Sequence, residues 1–507
     1  MDPIFEIDLD LARKGSREAS RSLYRELKTA IEDGRLAPGT RLPPTRRGES
    51  IFGMARNTIA EAYERLARER LVVTRRGSGS FVAERKRVDA RRIQANKTLA
   101  RREERGAKLV NDFWLRPDIT AAMGFWQDPL PIRPRANAAR ALDFRPALID
   151  SRLFPHDVFR QVTVRKLRGL ERKPAGLRSA QGNQGNFPLR EAITRHIALT
   201  RAIVCDPGEL VITSGAQQAF DLLARVLVRP AETIVAIEDP GYPPMRVAFA
   251  AAGATLVPVP VDGEGIVVGC IPPQTRVVCV CPSHQFPLGV TMSPARRREL
   301  LAFARRNHAV VIEDDYDGEF RYEGSPLEAL RIEREADVVF YVGTFSKCML
   351  PSLRLGFVIA PDWALRHLIA AKNCMDWHCS VPIQLAVADF IADGHLARHV
   401  RRMRAIYSQR RERLLSGLRR EFAGRLEPIA SLYGMHVAAA AYPAIDADAL
   451  AARLDETGMR IHSLRRYFLG TPSMSGLVFG LGAVGPSEID DGISRLQYAL
   501  GRARGAP

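Results

Sequence analysis

Apolar residues recur at helical spacing along the first part of the chain and then give way to two short strands. This pattern predicts helices at Ser22–Glu32, near Arg46–Phe52 and from Arg56 onward. Two short apolar runs, Leu71–Val73 and Ser80–Val82, are joined through a glycine-rich turn. Three helices closed by such a hairpin predict a winged helix-turn-helix, a fold that binds the major groove of DNA through its third helix.

After residue 141 the apolar pattern changes to strands that alternate with longer helical segments. The clearest predicted strands are Leu210–Thr213, Thr233–Ile237, Val277–Val280, Val310–Ile312 and Val338–Val342. This alternation predicts an α/β domain with a mostly parallel central sheet. The stretch between the two patterns shows no sustained period and is interpreted as a linker. We therefore divide the chain into a winged helix (1–84), a linker (85–140) and a large α/β domain (141–507).

The distribution of charge favours a polyanionic partner. The chain has 507 residues, too many for one core, and a formal net charge of +18. Residues 86–110 contain nine basic and three acidic side chains, so a large part of the excess lies in the linker. A basic linker beside a DNA-binding fold is expected to lie near phosphates.

Cysteine spacing and apolar run length exclude other classes of protein. The seven cysteines include no C-x-x-C pair, so we expect neither a disulfide framework nor a metal site. Met1-Asp2-Pro3 opens an acidic stretch, which is not a signal peptide. No apolar run approaches the roughly 20 residues that span a bilayer. We expect a cytoplasmic protein that does not bind membranes.

The most informative stretch for chemistry is Val338–Gly356. After its apolar strand come Thr344, Ser346 and Lys347, and Arg354 follows. Apolar neighbours shield the lysine, and a desolvated lysine loses its proton more easily and can form an imine with an aldehyde cofactor. The hydroxyls and the guanidinium suit a phosphate. A lone lysine is usually a solvated surface charge, so this pattern by itself leaves both interpretations open.

Three further groups lie at the carboxyl ends of predicted strands, where α/β sheets bind ligands. Ser214–Gln217 forms a strand-to-helix turn whose backbone N–H groups suit an anion. Tyr242 follows in a proline-rich turn, where its ring can stack on a flat heterocycle. Asp314 and Tyr316 follow Val310–Ile312. An aspartate there can keep a pyridine nitrogen protonated, and a phenol can hydrogen-bond a phenolate oxygen.

The first domain resembles the GntR-type DNA-binding domain in the segments RLPPTR, ARNTIAEAYERL and RRGSGSFVA. Gly48 departs from the family's apolar–polar alternation in the second helix and costs about 1 kcal/mol relative to alanine there. Basic and polar residues occupy the second helix, the start of the third helix and the wing. The candidate DNA contacts are Arg46, Arg56, Asn57, Thr58, Arg75 and Arg76.

The second domain resembles the fold-type-I, aspartate-aminotransferase-like domain that binds pyridoxal 5′-phosphate (PLP). The chain is similar to MocR/GabR-type regulators, which fuse both domains, in VITSGAQQAFDLLARVL, EDPGYP, PSHQFPLGVTMS, VIEDDYDGEFRYEG and GTFSKCMLPSLRLGF. The resemblance implies that Lys347 holds the internal aldimine, Asp314 the pyridine nitrogen and Tyr316 the 3′-oxygen. It implies that Tyr242 stacks on the ring. The implied phosphate cup consists of Ala216, Gln217, Thr344, Ser346 and Arg354. The positions that line the family's pocket beside the cofactor are His284 and Gln285.

One feature of aminotransferases is missing from this sequence. They bind the substrate α-carboxylate with an arginine near the C-terminus, where this chain has Leu477–Ala483 without an arginine. The turn after Tyr242 continues with Pro243-Pro244, again without a cation. Because a bidentate guanidinium–carboxylate pair is strong and selective, its absence argues against an ordinary α-amino-acid substrate. Surface exposure is the expected state of the three possible replacements, Arg246, Arg465 and Arg466.

Two functions are compatible with these predictions. In the first, the protein is a PLP-dependent transcriptional regulator that binds double-stranded operator DNA and senses PLP, an amine or an amino acid through an aldimine at Lys347. The resemblance implies a head-to-tail, domain-swapped homodimer for this case. In the second, it is an active aminotransferase whose N-terminal domain is a vestige or a scaffold. The missing arginine favours the regulator, whereas sustained turnover would favour the enzyme.

Overall fold

A computed structural model divides the chain into two units, Met1–Asp112 and Phe113–Pro507. It describes residues 17–75, 79–83, 111–123, 142–146, 148–172, 182–322, 328–332, 336–431 and 433–502. Within these ranges, none of the helices has both the length and the apolar character that crossing a bilayer requires.

The first unit contains the predicted three helices and hairpin. The helices are α1 (Arg17–Glu32), α2 (Thr45–Phe52) and α3 (Arg56–Arg68). Strands β1 (Val72–Arg75) and β2 (Gly79–Val82) pair in antiparallel fashion. Apolar residues from all these elements meet in one core, which includes Leu23, Leu27, Phe52, Ile59, Leu66, Val72 and Val82. The winged helix-turn-helix prediction is confirmed.

Gly48 is a packing residue of α2, not a weak point on its surface. It is buried, and a Cβ at this position would come within 3.1 Å of Ile59 Cδ1 and 3.3 Å of Phe52 Cδ2. The missing side chain therefore lets α2 approach α3 closely, and this packing offsets the low helix propensity of glycine. The helix ends at Gly53, whose φ of 63° is the left-handed conformation that favours glycine.

A central eight-stranded sheet organises the second unit. The strands of this unit are β3 (Leu142–Asp143), β4 (Leu210–Thr213), β5 (Ile234–Asp239), β6 (Thr255–Asp262), β7 (Gly265–Ile266), β8 (Val277–Val280), β9 (Val310–Asp315), β10 (Val339–Thr344), β11 (Gly356–Ile359), β12 (Leu426–Pro428), β13 (His436–Ala441), β14 (Met459–Arg460), β15 (His462–Ser463) and β16 (Gly476–Gly480). The large sheet has the order β4-β11-β10-β9-β8-β5-β6-β7. The pairs from β10 to β6 are parallel, whereas β11 runs antiparallel to both neighbours and β7 to β6. The mostly parallel sheet predicted from the sequence is confirmed.

Helices cover both faces of this sheet. The helices of this unit are α4 (Pro117–Met123), α5 (His156–Arg172), α6 (Phe187–Arg201), α7 (Ala216–Leu227), α8 (Pro243–Ala251), α9 (Pro294–Arg306), α10 (Asp362–Asp376), α11 (Val381–Ala392), α12 (His395–Phe422), α13 (Ala447–Glu456) and α14 (Pro486–Arg502). Neighbouring residues of β4 show the two faces: Ile212 shares a core with Leu189 of α6, and Val211 shares another with Phe220 of α7. Both faces are therefore buried, as the continuous apolar strands predict.

The C-terminal part of the unit forms a smaller layer of its own. Strands β12, β13, β16 and β15 make a four-stranded antiparallel sheet, in that order. Its core joins the end of α12 with α13 and α14 through Leu418, Val437, Leu450, Phe479 and Ile489.

The candidate chemistry lies where β9 and β10 end. Strand β9 continues three residues beyond the predicted end, as far as Asp315, and it pairs in parallel with β10. The register places Asp314 opposite Val342 and Asp315 opposite Gly343. Because parallel strands end at the same edge of a sheet, Asp314 lies beside the strand that leads to Lys347.

Candidate functional site

Asp314 is a buried carboxyl group with an incomplete set of hydrogen bonds. It is 4% exposed; Cys281 Sγ donates to its Oδ2 at 3.8 Å, and Oδ1 has no partner among the described residues. Burial, together with repulsion from Asp315 and Asp317, raises the pKa of the Asp314 carboxyl to about 8. A buried oxygen without a donor is destabilising, and a ring N–H at this point would remove that cost.

Lys347 lies three residues after the end of β10 and is half-buried. Desolvation lowers the pKa of its ammonium to about 8, against the opposing effect of Asp317 and then Asp314. The charge of Arg354 lowers the same pKa further. The pKa of Lys347 therefore depends on both carboxyl groups and on the Arg354 guanidinium. A lysine with such a pKa supplies a neutral amine at a lower pH than an exposed lysine does.

The Arg354 guanidinium lies over the turn at the start of α7. Arg354 Nη2 donates to the Ser214 carbonyl at 2.8 Å, and a Cβ on Gly215 would lie only 3.0 Å from that nitrogen. The φ of 76° at Gly215 is left-handed, so glycine meets two requirements of this turn. Nearby in sequence, Thr344 Oγ1 donates to Ser346 Oγ at 3.0 Å. Guanidinium and helix N-terminus together suit a phosphate.

The first turn of α7 is tied to the turn that carries the predicted stacking ring. Ala216 and Gln217 begin the helix, and Gln217 Nε2 donates to the Pro244 carbonyl at 3.0 Å. The Tyr242 ring lies edge-on to the Phe286 ring, with centroids 5.8 Å apart. Tyr242 therefore packs against the segment that contains His284, Gln285 and Phe286.

Tyr316 belongs to a buried hydrogen-bond network. Its hydroxyl is 2.8 Å from His284 Nδ1, which also lies 3.0 Å from Asp317 Oδ2. Since a carboxylate only accepts, we assign the Nδ1 proton to the bond with Asp317. The phenol oxygen can accept from the same N–H, so its own proton remains available to another acceptor. Burial, followed by the charge of Asp317, raises the pKa of Tyr316 well above its usual value, so the phenol keeps that proton.

Gln285 is an internal support of this segment. Its Nε2 donates to the carbonyls of Pro240 at 2.7 Å and Phe286 at 2.8 Å. Its Oε1 accepts from the Leu288 N–H at 3.1 Å. Gln285 is 1% exposed, so its described contacts hold the loop in place.

Most of the candidate DNA-binding residues that the structure describes in the first unit are exposed. Arg46, Arg56, Asn57 and Arg75 are exposed, and Thr58 is half-buried at the start of α3. Glu49 Oε1 accepts from the Arg56 backbone N–H at 3.2 Å, which ties α2 to the beginning of α3. The Arg75 guanidinium lies 5.1 Å from the centre of the Phe81 ring on the hairpin. Arg76 lies outside the described residues.

Comparisons with known proteins identify the family. Residues 19–82 match the bacterial regulatory proteins of the gntR family, and residues 156–471 match aminotransferase class I and II. The probable rhizopine catabolism regulatory protein MocR of Rhizobium meliloti is 30% identical over 494 residues, 97% of this chain and 96% of that protein. The uncharacterized HTH-type transcriptional regulator YhdI of Bacillus subtilis is 30% identical over 491 residues, 96% of this chain and 97% of that protein. The chain belongs to the MocR-type transcriptional regulators.

The large domain of this MocR-type regulator is also similar to solved aminotransferases. The kynurenine aminotransferase of Pyrococcus horikoshii, in a complex with PMP, superposes with a TM-score of 0.66 and 26% identity, covering 72% of this chain and 92% of that chain. The resemblance and the fold class predicted from the sequence are confirmed. The roles of the individual site residues stay predictions.

The possible replacements for the missing arginine differ in this MocR-type regulator. Arg465 and Arg466 are exposed, as expected, but Arg246 is only 8% exposed, so the expectation of surface exposure is wrong for it. The reason is that α4, a helix of the predicted linker, covers one side of α8. This contact is made by Ile119 and Ala122 of α4 and Val247 of α8.

Sequence reasoning missed two members of the buried network of this MocR-type regulator. Asp317 lies three residues beyond Asp314 in the EDDYD run, so the acidic spacing was an available signal. His436 comes from β13, and no motif pointed to it. Its ring centre is 4.9 Å from that of His284, and its Nε2 donates to the Pro287 carbonyl at 2.9 Å. Burial and the neighbouring His284 lower the pKa of His436 well below its usual value, so it is neutral.

Proposed function

We propose that this chain is a PLP-dependent transcriptional regulator whose winged helix binds operator DNA and whose large domain responds to PLP or to an amino compound at Lys347. The observation that carries the proposal is that a desolvated Lys347 and an under-bonded Asp314 act on each other's charge where β9 and β10 end. The match to the aminotransferase family supports PLP as the cofactor of this domain.

The residues present fit the cofactor. When bound, PLP supplies an aldehyde that condenses with primary amines and a ring that withdraws electrons. Lys347 would hold it covalently, Asp314 would accept from the ring nitrogen through Oδ1, and Tyr316 would donate to the 3′-oxygen. Tyr242 would cover the ring. The phosphate would be bound by Ala216, Gln217, Thr344, Ser346 and Arg354.

Sensing would follow from a change in the state of Lys347. If an amino compound replaced Lys347 as the group that holds the cofactor, Lys347 would be a primary amine near Asp317 and Asp314, and the local charge would change. A ligand shifts a conformational equilibrium only when it binds one state better than the other, and this change in charge supplies such a difference. We also propose the head-to-tail, domain-swapped homodimer, which would bring two winged helices to one operator.

The test of the cofactor assignment is the visible absorption spectrum of the purified protein with PLP. We expect Lys347→Ala to lose the visible band of the covalent adduct because no other amine has this position. Lys166→Ala, on α5, is the matched control, since Lys166 pairs with Asp389 and lies outside the site. An unchanged spectrum in Lys347→Ala would overturn the cofactor assignment. Adding candidate amines to the wild type then identifies the effector by its spectral change.

The similarity to aminotransferases favours a second candidate function, transamination. Incubation with a panel of amino donors and keto acids distinguishes the two. An enzyme should turn over repeatedly at about 1 s⁻¹ or faster, the low end of typical values. A sensor should give only a slow change that stops at one equivalent per subunit.

A further inference from the structure

A cavity in the large unit lies apart from the predicted cofactor residues and has no role in the proposed function. It has a volume of about 890 Å³ and is partly open, and small-molecule sites have volumes of roughly 300–1,000 Å³. None of the predicted cofactor residues lines it. Its walls come from helices α4 and α8, from strand β6 and from the segment 463–469. Helix α4 is therefore a wall of the cavity and also part of the predicted linker.

Positive charge dominates the lining. Four arginines and two aspartates contribute: Arg116, Arg246, Arg465, Arg466, Asp118 and Asp448. Arg116 is paired with Asp118 at 2.8 Å, and Arg465 lies 3.8 Å from Asp448. The remaining excess of positive charge comes from Arg246 and Arg466. An anion is therefore the ligand that the lining attracts.

Arg246 is the key residue of this cavity, because its guanidinium is buried and has too few hydrogen-bond acceptors among the described residues. It is 8% exposed, and its Nη1 has no hydrogen-bond partner among the described residues. Desolvation lowers its pKa to about 10, and the charges of Asp239 and Asp118 oppose that shift only in part. A buried guanidinium nitrogen without an acceptor is destabilising.

The neighbouring carboxylates already have other partners. Both oxygens of Asp239 accept from backbone N–H groups, those of Leu469 at 2.6 Å and Gly470 at 3.1 Å. Both oxygens of Asp118 accept from Arg116, at 3.1 and 2.8 Å. Each acidic group that acts on Arg246 is thus bound elsewhere. Among the described residues, Arg246 Nη1 has no acceptor, and a ligand oxyanion can supply one.

The rest of the lining is apolar. It includes Ile119, Ala122, Val247, Ala250, Leu256, Pro258 and Phe468. An inorganic ion would leave this surface without contacts, whereas an organic anion with an apolar body would cover it. The ligand would also touch α4, which is attached to α8 by a small apolar cluster.

We infer that this cavity is a second ligand site, which binds a small organic anion with its carboxylate or phosphate on Arg246 and its apolar body between α4 and α8. Binding would add contacts on both sides of the α4–α8 junction and so stabilise the docked linker helix. The site is separate from the predicted cofactor site.

Calorimetric titration of the PLP-loaded protein tests the inference with three probes. Benzoate has a carboxylate and an apolar ring, inorganic phosphate has only the charge, and benzyl alcohol has only the ring. We expect benzoate to bind more tightly than either of the other two. Arg246→Gln should weaken benzoate binding at least tenfold, whereas Arg298→Gln, an exposed arginine of α9, should leave it unchanged. Phosphate that binds as tightly as benzoate would overturn the need for an apolar body.

One further variant and a comparison with and without PLP keep the test decisive. Ala121→Trp places a large ring from the exposed side of α4 into the cavity and should block benzoate even if Arg246→Gln does not fold. Benzoate should bind the wild type with the same affinity with and without PLP, because none of the predicted cofactor residues lines the cavity. Unchanged benzoate binding in Ala121→Trp would overturn the inference. Benzoate binding that weakens as the PLP concentration rises would assign the anion to the cofactor site and would also overturn it.

Discussion

At the scale of single residues, the predicted cofactor site combines groups that burial has moved away from their ordinary charge states. The lysine loses affinity for its proton and the aspartate gains it, because both charged forms are poorly solvated at the end of β9 and β10. A cationic ring nitrogen would restore the charged form of Asp314. The electrostatics of the site would therefore stabilise the bound cofactor.

The pH dependence of cofactor attachment is the first prediction at this scale. Attachment needs the neutral amine of Lys347, whose pKa is lowered from 10.5 to about 8. The rate of attachment to cofactor-free protein should therefore rise with pH and level off just above pH 8. Stopped-flow absorbance measures it, with a free lysine derivative as the reference. A rate that still rises through pH 10 would show that Lys347 is not desolvated.

The second residue-scale prediction concerns Asp314→Asn. The amide has no negative charge to hold the ring nitrogen protonated, and a hydrogen bond to a charged group contributes about 1.5–3 kcal/mol. We expect PLP affinity to fall about tenfold or more, as measured by spectral titration. Asp455→Asn, at an exposed position of α13, is the control. Equal affinity in both variants would exclude Asp314 as the nitrogen partner.

At the scale of elements, the winged helix separates its packing faces from its exposed ends. Helix α3 buries Ile59, Ala62, Tyr63 and Leu66 and exposes Arg56 and Asn57 at its start. Tyr63 also donates to the Pro43 carbonyl at 2.9 Å, which fixes the segment before α2 against α3. Helix α3 is therefore packed along one face, while the side chains of Arg56 and Asn57 at its start remain accessible.

DNA binding provides the prediction at the scale of elements. Arg56→Ala should weaken binding to the DNA upstream of the chain's own gene by about 1–3 kcal/mol, the usual size of a good base contact. Arg68→Ala, at the other end of the same helix, is the control and should have little effect on DNA binding. It should also have little effect on folding, because Arg68 pairs only loosely with Glu64 at 3.9 Å. Fluorescence anisotropy at several salt concentrations measures both. Scrambled DNA that binds as tightly as the upstream sequence would contradict specific recognition.

At the scale of the whole molecule, the sheet beneath the site contains carboxyl groups that burial keeps protonated at neutral pH. Glu313 is fully buried in β9; its Oε2 accepts from the Leu330 N–H at 2.9 Å, and its Oε1 has no partner among the described residues. Burial raises its pKa to about 8, and the same holds for Glu238. These groups link the stability of the large unit to pH.

Glu313→Gln tests this linkage. The folded state favours the protonated acid, so its contribution to stability is complete below about pH 4.5 and is lost as the pH rises towards 8. The variant should unfold at nearly the wild-type temperature at pH 4.5 and at a higher temperature than the wild type at pH 8. Glu232→Gln, an exposed position, is the control. A difference between variant and wild type that does not change with pH would contradict a raised pKa.

Much of this molecule was predictable because local sequence contains the relevant information. A helix or strand that faces a core must repeat its apolar residues at the period of its backbone, so the winged helix and the parallel sheet could be recognised from residues close in sequence. The order of phosphate turn, Tyr242, Asp314 and Lys347 is likewise a property of the chain. These features determined the family and the candidate cofactor site.

Tertiary structure alone decided how distant segments meet. The burial of Arg246 depends on α4 packing against α8, and His436 joins His284 only because β13 folds back over the site. Gly48 is acceptable in α2 because Ile59 of α3 occupies the space of its missing side chain. In each case the partners lie outside any local period, and the free energy of the contact depends on which surfaces the fold brings together. Sequence therefore specified the elements and their chemistry, and packing decided which charges were left without partners.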